Sequence, residues 1–473
     1  MMTRPFRLVP AALAVLLLVG CGTARTATAA RAQGVAATAP SIAAPALPNI
    51  PDRTFLAPEF GAKGDGATPR TDAIARAIAA AADAGGGTVR FPAGVYFTGP
   101  IQLRSKVALH LDKDATLKFS QEPSDYPVVL TRFEGTECMN YAGLISARDA
   151  SDIAITGQGT IDGQGQSWWP WSKKAGRSLQ RLREMGETTA DPKSRVFGTP
   201  EAALRACLFE PVNCRRILLD GVTFTNSPFW TIHPLYCTDL TARQLTIRGT
   251  GPNTDGLDPD SCANLLIEKC TFDTGDDCIT LKSGRDRDGR RVGKPTENVH
   301  VRDCTFARGH GTVVIGSEMS GGVRNVLAEN LVANGTDAGV RIKTRRGRGG
   351  VVENVLYRNL SLKNIAKQAI TIDMFYDVGN NPAIDQSGRE GVPALRNIAV
   401  ENLTCDGAAT AMIIRGLPES PIEGVSLRDV RITAKEGTTV SDARDVRIGN
   451  VSVEVRGGGG KKSPDGDETA AGK

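Results

Sequence analysis

One short pattern recurs from residue 151 to residue 449: a polar residue, often Asn, followed by alternating apolar positions. Its copies begin at Ser151, Arg216, Asp239, Asn264 and Asn298, and continue at Asn325, Asn354, Asn397, Gly424 and Asp445. The spacing is irregular, mostly between about 21 and 34 residues, which is the range of solenoid repeats. Period-two alternation marks a half-buried strand. No amphipathic helix is read between copies, so a βαβ arrangement is excluded. Short strands and turns, one set per repeat, predict an all-β chain wound as a single parallel β-helix. Successive coils then stack about 4.8 Å apart. Each buries its apolar positions on its neighbours, and like residues form ladders of Asn, Ile, Val and Cys.

A solenoid must close its open end, where unpaired strand edges would otherwise invite association. Residues 71–84 read as a helical N-terminal cap, with Thr71 as N-cap and Ile74 and Ile78 on one face. Ahead of it lies an export signal: Arg4 and Arg7, then an apolar run from Ala11 to Val19 too short to span a bilayer. The run ends Leu18-Val19-Gly20-Cys21, which resembles the lipobox of bacterial lipoproteins and makes Cys21 the expected lipidation site; an ordinary cleaved signal is the alternative. Gly22 in place of Asp suggests, by the sorting habit of such proteins, an outer-membrane lipoprotein facing the periplasm or the cell surface. Residues 1–21 are thus signal, 22–50 a flexible Ala/Thr/Pro linker, 51–456 the β-helix and 457–473 a disordered polar tail.

The net charge of +5 is mild for 473 residues and is no nucleic-acid signature. A monomer is expected. Of ten cysteines, Cys21 is set apart for lipid, so nine remain and at least one is unpaired within the chain. Cys270 and Cys304 hold equivalent repeat positions and read as stacked core thiols. No Cys/His group has metal-ligand spacing, so neither a metal nor another cofactor is expected.

Four stretches align residue for residue beyond the first strand. They begin at Thr254, Asp276, His310 and Asp337. Ile279 and Leu281, Val313 and Ile315, and Val340 and Ile342 alternate inward. Asp258, Thr280, Val314 and Arg341 then form one outward column, and Asp260, Lys282, Gly316 and Lys343 the next. Asp255 lies over Asp277, and His310 follows Asp276 by one coil. The preceding coil adds Thr231 and His233 to the same face. Like charges stacked at strand spacing repel, so an inert sheet would avoid this cluster. For His233 and Lys282 a plain solvated face is the competing reading.

Such acids suit glycoside hydrolysis. A protonated carboxyl donates to the leaving oxygen while an ionised one activates water, and crowding splits their pKa values. A wide carboxylate gap admits the water and inverts the anomeric centre. Arg341 can hold a carboxylate bidentately and Lys343 adds a point charge, which suits an acidic sugar.

At these residues the chain resembles the polygalacturonase family of pectin hydrolases, built on a right-handed parallel β-helix. The family's segments stand as Asn253-Thr254-Asp255, Gly275-Asp276-Asp277, Gly309-His310-Gly311 and Arg341-Ile342-Lys343. The likeness also covers residues 60–66, 157–163 and 226–230. It implies Asp276 as general acid, Asp255 and Asp277 activating water, and His310 tuning the acid. Asn253, Arg341, Lys343, His233, Lys282 and Tyr376 are the implied substrate-binding residues. The implied substrate is pectin or galacturonate oligomers, an acidic plant polysaccharide. Asp258-Pro259-Asp260 and Ser317-Glu318-Met319-Ser320 look like the bacterial, often exo-acting branch. The coil at Arg205 departs from the family's pattern. The polar insertion over residues 170–200 either walls off the cleft or is a surface loop.

Rival readings are a rhamnogalacturonan or xylogalacturonan hydrolase, a Ca²⁺-dependent pectate lyase using the Asp cluster as a cation site, and a non-catalytic carbohydrate-binding β-helix.

Overall fold

The computed structural model describes residues 38–377 and 388–456. Cys21 and the 457–473 tail lie outside them. The described chain is a right-handed parallel β-helix whose strands join into a sheet system of 24 strands, with three- and two-stranded sheets beside it. The core is the bore of the solenoid. One buried column runs Ile101, Ile145, Phe209, Ile232, Leu257, Ile279, Val313, Val340, Ile370 and Met412, each in register with the next. The four aligned stretches therefore stack as expected: Leu257 pairs with Ile279, Thr280 with Val314, and Val314 with Arg341. An extra residue between Lys363 and Gln368 is absorbed at that turn, because Asn334 pairs with Lys363 while Ala338 pairs with Gln368.

The polar residue that opens each repeat has a backbone cause. Arg216, Asp239, Asn264, Asn298, Asn325, Asn354, Asn397, Gly424 and Asp445 all have φ between 52 and 68°. That left-handed region is reached most cheaply by Asn, Asp and Gly. The Asn side chains then bond coil to coil: Asn298 donates to Asn264 at 3.1 Å, Asn325 to Asn298 at 3.1 Å and Asn354 to Asn325 at 3.2 Å. The first copy is corrected by one residue. Asp152, not Ser151, has the positive φ, since Ile153 pairs with Ile217.

The cap is helix α1, Thr71–Asp83, which buries Ala73, Ile74, Ala77, Ile78 and Ala81 on the first coils. Thr71 does not cap it. Its Oγ1 instead accepts from the Gly99 N–H at 2.6 Å, which ties the helix to the solenoid. Upstream, residues 38–50 have no helix or strand. Ala39 and Ile42 pack on Leu327, Leu356 and Ala399, and the Asn49 N–H donates to Asp152. This part of the expected linker lies against the β-helix.

Three additions cover one side of the solenoid. An antiparallel hairpin joins Val128–Phe133 to Thr136–Tyr141. The 170–200 insertion contains helix α2, Gly176–Gly186. A short helix α3, Asp286–Val292, follows the second aligned stretch and was not anticipated. Phe133, Cys138, Ala175, Leu182, Phe197, Leu204, Cys207, Phe229 and Trp230 form a second apolar cluster outside the bore. Buried Arg195 donates to Asp288 at 2.8 Å, and the same carboxylate accepts from the Glu137 N–H at 2.8 Å. Hairpin, insertion and α3 are thereby fastened together. The nine cysteines of the described residues are buried and free, including Cys270 and Cys304.

Candidate active site

A cavity of about 190 Å³ opens over the aligned strands, lined by Asn253, Asp255, Asp276, Asp277, Lys282 and Lys343. Glu134, Arg183, Trp230, Arg285, Ser317, Glu318, Arg348, Tyr376 and Asp377 complete it. Nine of the expected site residues converge here: the six named first, Tyr376, and His310 and Arg341 through their bonds to the acids. The tenth, His233, is corrected. It is fully buried beneath Trp230, and its Nδ1 lies 2.9 Å from Glu210 Oε1. It cannot touch a substrate. The expectation of a solvent-facing sheet is corrected with it, because the hairpin and insertion roof that side. Asp258 and Asp260 are wholly buried, and Arg132 of the hairpin donates to Asp260 at 2.6 Å.

The stacked carboxylates are tolerated because cations are threaded between them. Asp277 accepts from Lys343 Nζ at 2.7 Å and Arg341 Nη1 at 3.0 Å. Burial pushes this carboxyl up, but Lys343 and Arg341 outweigh it and hold the pKa at about 2. Asp255 is the opposite case. Burial raises it well above the usual carboxylate range, the charges of Asp258 and Asp276 raise it further, and Lys282 opposes them. Lys282 Nζ sits 3.7 Å from Asp255, 3.6 Å from Asp258 and 3.4 Å from Glu318, under the Trp230 ring. Burial likewise pushes Asp258 up to about 7 against the pull of Lys282.

Asp276 is the most exposed of the three acids. His310 Nδ1 lies 2.8 Å from its Oδ1, and the Asp277 N–H donates to the same oxygen at 2.9 Å. The bond to Asp276 raises the His310 pKa, more than burial lowers it. Tyr376 stands over the cations, its ring centroid 5.0 Å from Lys343 Nζ. Asn253 turns through a φ of 56° and accepts from Arg205 at 2.7 Å. Arg205 also holds the carbonyls of Pro228 and Pro252 and lies over the Phe229 ring, with burial lowering its pKa to about 10. The coil that departed from the family's pattern thus braces the strand entering Asp255.

Among the described residues, donor atoms converge in two groups that span distant coils, Cys207, Glu210 and His233, and Asp276, Asp277 and His310. The first is nonlocal, which is why spacing along the chain did not reveal it. In both, the acids already have protein partners: Thr131 and His233 for Glu210, Arg341 and Lys343 for Asp277, and His310 for Asp276. A hard cation needs oxygens whose charge is uncompensated, and this donor set fits one poorly.

Sequence reading did not single out Glu134, Arg183, Arg285 or Arg348. Glu134 and Arg183 lie in non-repeating segments where no periodicity points at the cleft. Glu318 stood within the Ser317–Ser320 segment already noted, and Trp230 within the 226–230 match.

Comparison with known proteins gives a consistent result. Residues 206–454 match the sequence profile of glycosyl hydrolases family 28, and residues 57–124 that of rhamnogalacturonase A/epimerase, pectate lyase-like. The solved exopolygalacturonase of Thermotoga maritima superimposes with a TM-score of 0.82 at 40% identity, over 87% of this chain and 94% of that one. A probable polygalacturonase of Vitis vinifera is 33% identical over 79% of this chain and 73% of its own length. The exo-poly-alpha-D-galacturonosidase of Dickeya chrysanthemi is 28% identical over 83% and 70% respectively.

Proposed function

The chain belongs to glycosyl hydrolase family 28, and from that premise we propose that it hydrolyses α-1,4-galacturonosyl linkages of polygalacturonate with inversion, acting from a chain end. The observation that carries the reading is Asp277 kept ionised by Arg341 and Lys343 inside a cavity that also holds Asp255 and Asp276.

The surroundings divide the labour. Asp276, the most exposed of the three acids and paired with His310, gives its proton to the leaving oxygen as the glycosidic C–O bond breaks. Water, held by Asp255 and Asp277, bonds to the anomeric carbon. Its proton goes to Asp255, because a carboxylate with a raised pKa is the stronger base, whereas Asp277 at about 2 orients the water. Arg341, Lys343 and Tyr376 receive the uronate at the cleavage point.

Action from an end is supported by the hairpin that roofs the cavity. At the hairpin tip Gly135 has a φ of 84°, and a Cβ there would come within 2.8 Å of the Arg285 backbone nitrogen. The hairpin is seated too closely for a sugar chain to pass beneath it. Two of the relatives above carry exo in their names. The rhamnogalacturonase-like match covers only residues 57–124, none of which lines the cavity.

Asp276→Asn should lower kcat on polygalacturonate by about 10²- to 10⁴-fold, the worth of a general acid, while binding is kept. Unchanged release of reducing sugar would remove Asp276 from this role. Chromatography of digests should show monogalacturonate as the early product; a ladder of oligomers would overturn the exo reading. The N-terminal segment is read as directing export, with Cys21 carrying the lipid. Cys21→Ser should move the protein from the membrane fraction to the soluble one, and retention in the membrane would refute the anchor.

A further inference from the structure

The closed end of the cavity carries a carboxylate that the mechanism does not use. Glu134 lines it at the hairpin tip, with a φ of 42°. Arg183 of α2 donates to its Oε2 at 2.9 Å, and Arg285 Nη1 lies 3.5 Å from the same oxygen. Arg285 is held in turn by Glu318 at 2.7 Å. Oε1 of Glu134 has no hydrogen-bond partner among the described residues. Two arginines fix the carboxylate on one side and leave an acceptor on the other. The cluster is braced by the Arg285 N–H, which donates to Gly135 O at 2.8 Å.

We propose that Glu134 reads the free non-reducing end of the substrate by accepting a hydrogen bond from the terminal C4 hydroxyl. An ionised carboxylate only accepts. A terminal sugar offers it an O–H donor. An interior sugar offers a glycosidic oxygen, which only accepts, so the two oxygens repel and Oε1 of the half-buried carboxylate goes unsatisfied. A cavity of about 190 Å³ lies below the roughly 300–1,000 Å³ of drug-sized pockets and has room for one monosaccharide.

The non-reducing end is chosen by the position of the base. Asp255 lies one coil nearer the roofed side than Asp277, since Gly256 bonds across to Asp277 and Asp258 to Ile232. Water held by the two acids attacks the sugar on the roofed side. That sugar turns its anomeric carbon to the open cleft and its C4 to Glu134.

This inference rests on the exo reading above, and one pair of substrates separates them. Trigalacturonate is compared with the trimer made by a lyase, whose unsaturated terminal sugar lacks the C4 hydroxyl. The purified wild-type protein should cut the saturated trimer to monomer and dimer, and the unsaturated one about 10- to 100-fold less efficiently in kcat/KM, the effect of one lost bond to a charged group. Glu134→Ala should lose most of that preference, chiefly through a raised KM on the saturated trimer. Glu134→Gln keeps size and fold and should fall between the two. A wild-type preference preserved in both folded variants would overturn the role of Glu134. Random internal cleavage of polygalacturonate by the wild type would overturn the exo reading, and this inference with it.

Discussion

Asp255 and Asp277 face each other across one coil spacing, yet their surroundings drive them apart. Asp277 has two cations on its oxygens, whereas Asp255 has one cation at 3.7 Å and two acids nearby. A pH profile follows from this. Asp255 must be ionised to take a proton from water, and its pKa is raised. So kcat/KM should fall on the acid side at a pH above the ordinary carboxylate range. Lys282 opposes that rise, so Lys282→Met should make Asp255 harder to ionise and move the acid limb to higher pH. An unmoved limb would separate Lys282 from the chemistry. The acids titrate together, so the limb belongs to the cluster and not to one residue. Asp255, Asp276, Asp277, His310, Arg341 and Lys343 were all legible in the chain, because each repeats at a fixed offset from an apolar pair. His233 had the same offset and was misread. The roof that buries it is built from segments outside the repeat.

At the scale of the element, the Asn that opens each coil does two jobs. It adopts a left-handed backbone and joins a side-chain ladder. Asn325→Ala would break its bonds to Asn298 and Asn354 and place a Cβ-bearing residue without a local hydrogen bond at a φ of 57°. The expected loss is about 1–3 kcal/mol in urea unfolding. Asn325→Gly keeps the backbone at ease and removes only the ladder, so it should cost less than the Ala variant. If Gly cost as much as Ala, the ladder and not the backbone would dominate. The hairpin, α2 and α3 obey other rules. Their stability comes from Phe133 stacked on Phe229 at 4.5 Å and from buried pairs such as Arg195 with Asp288. Helix α2 could be suspected from a long polar insertion, but its buried partner Leu204 lies outside any periodic pattern.

Across the whole molecule, stacked coils make stability nearly one-dimensional, since each coil touches mainly its neighbours. Buried thiols belong to that stack. Cys214, Cys237 and Cys262 lie in adjacent coils, and the Cys237 N–H donates to Cys262 Sγ at 3.3 Å. The fold is expected to owe nothing to disulfides in the described residues. Reductant should leave the melting temperature unchanged, and native protein should resist thiol reagents that label all nine of these cysteines after denaturation. A melting temperature lowered by reductant would show that two of these thiols pair in the purified protein.

The chain alone determined the stacking of the four aligned stretches, the presence of a helical cap and the acids that share one face. Contacts between coils join equivalent positions of a repeat, so they are written as periodicity. Tertiary structure alone decided how closed the site is and what each acid can do. The cavity is roofed by contacts such as Arg132 with Asp260 and Glu137 with Asp288, which join residues far apart in the chain. They repeat nowhere, so no pattern announces them. Burial and charge at Asp255 and Asp277 depend on that roof and on which cation reaches which oxygen, and these are set only when the coils and the segments over them are packed together.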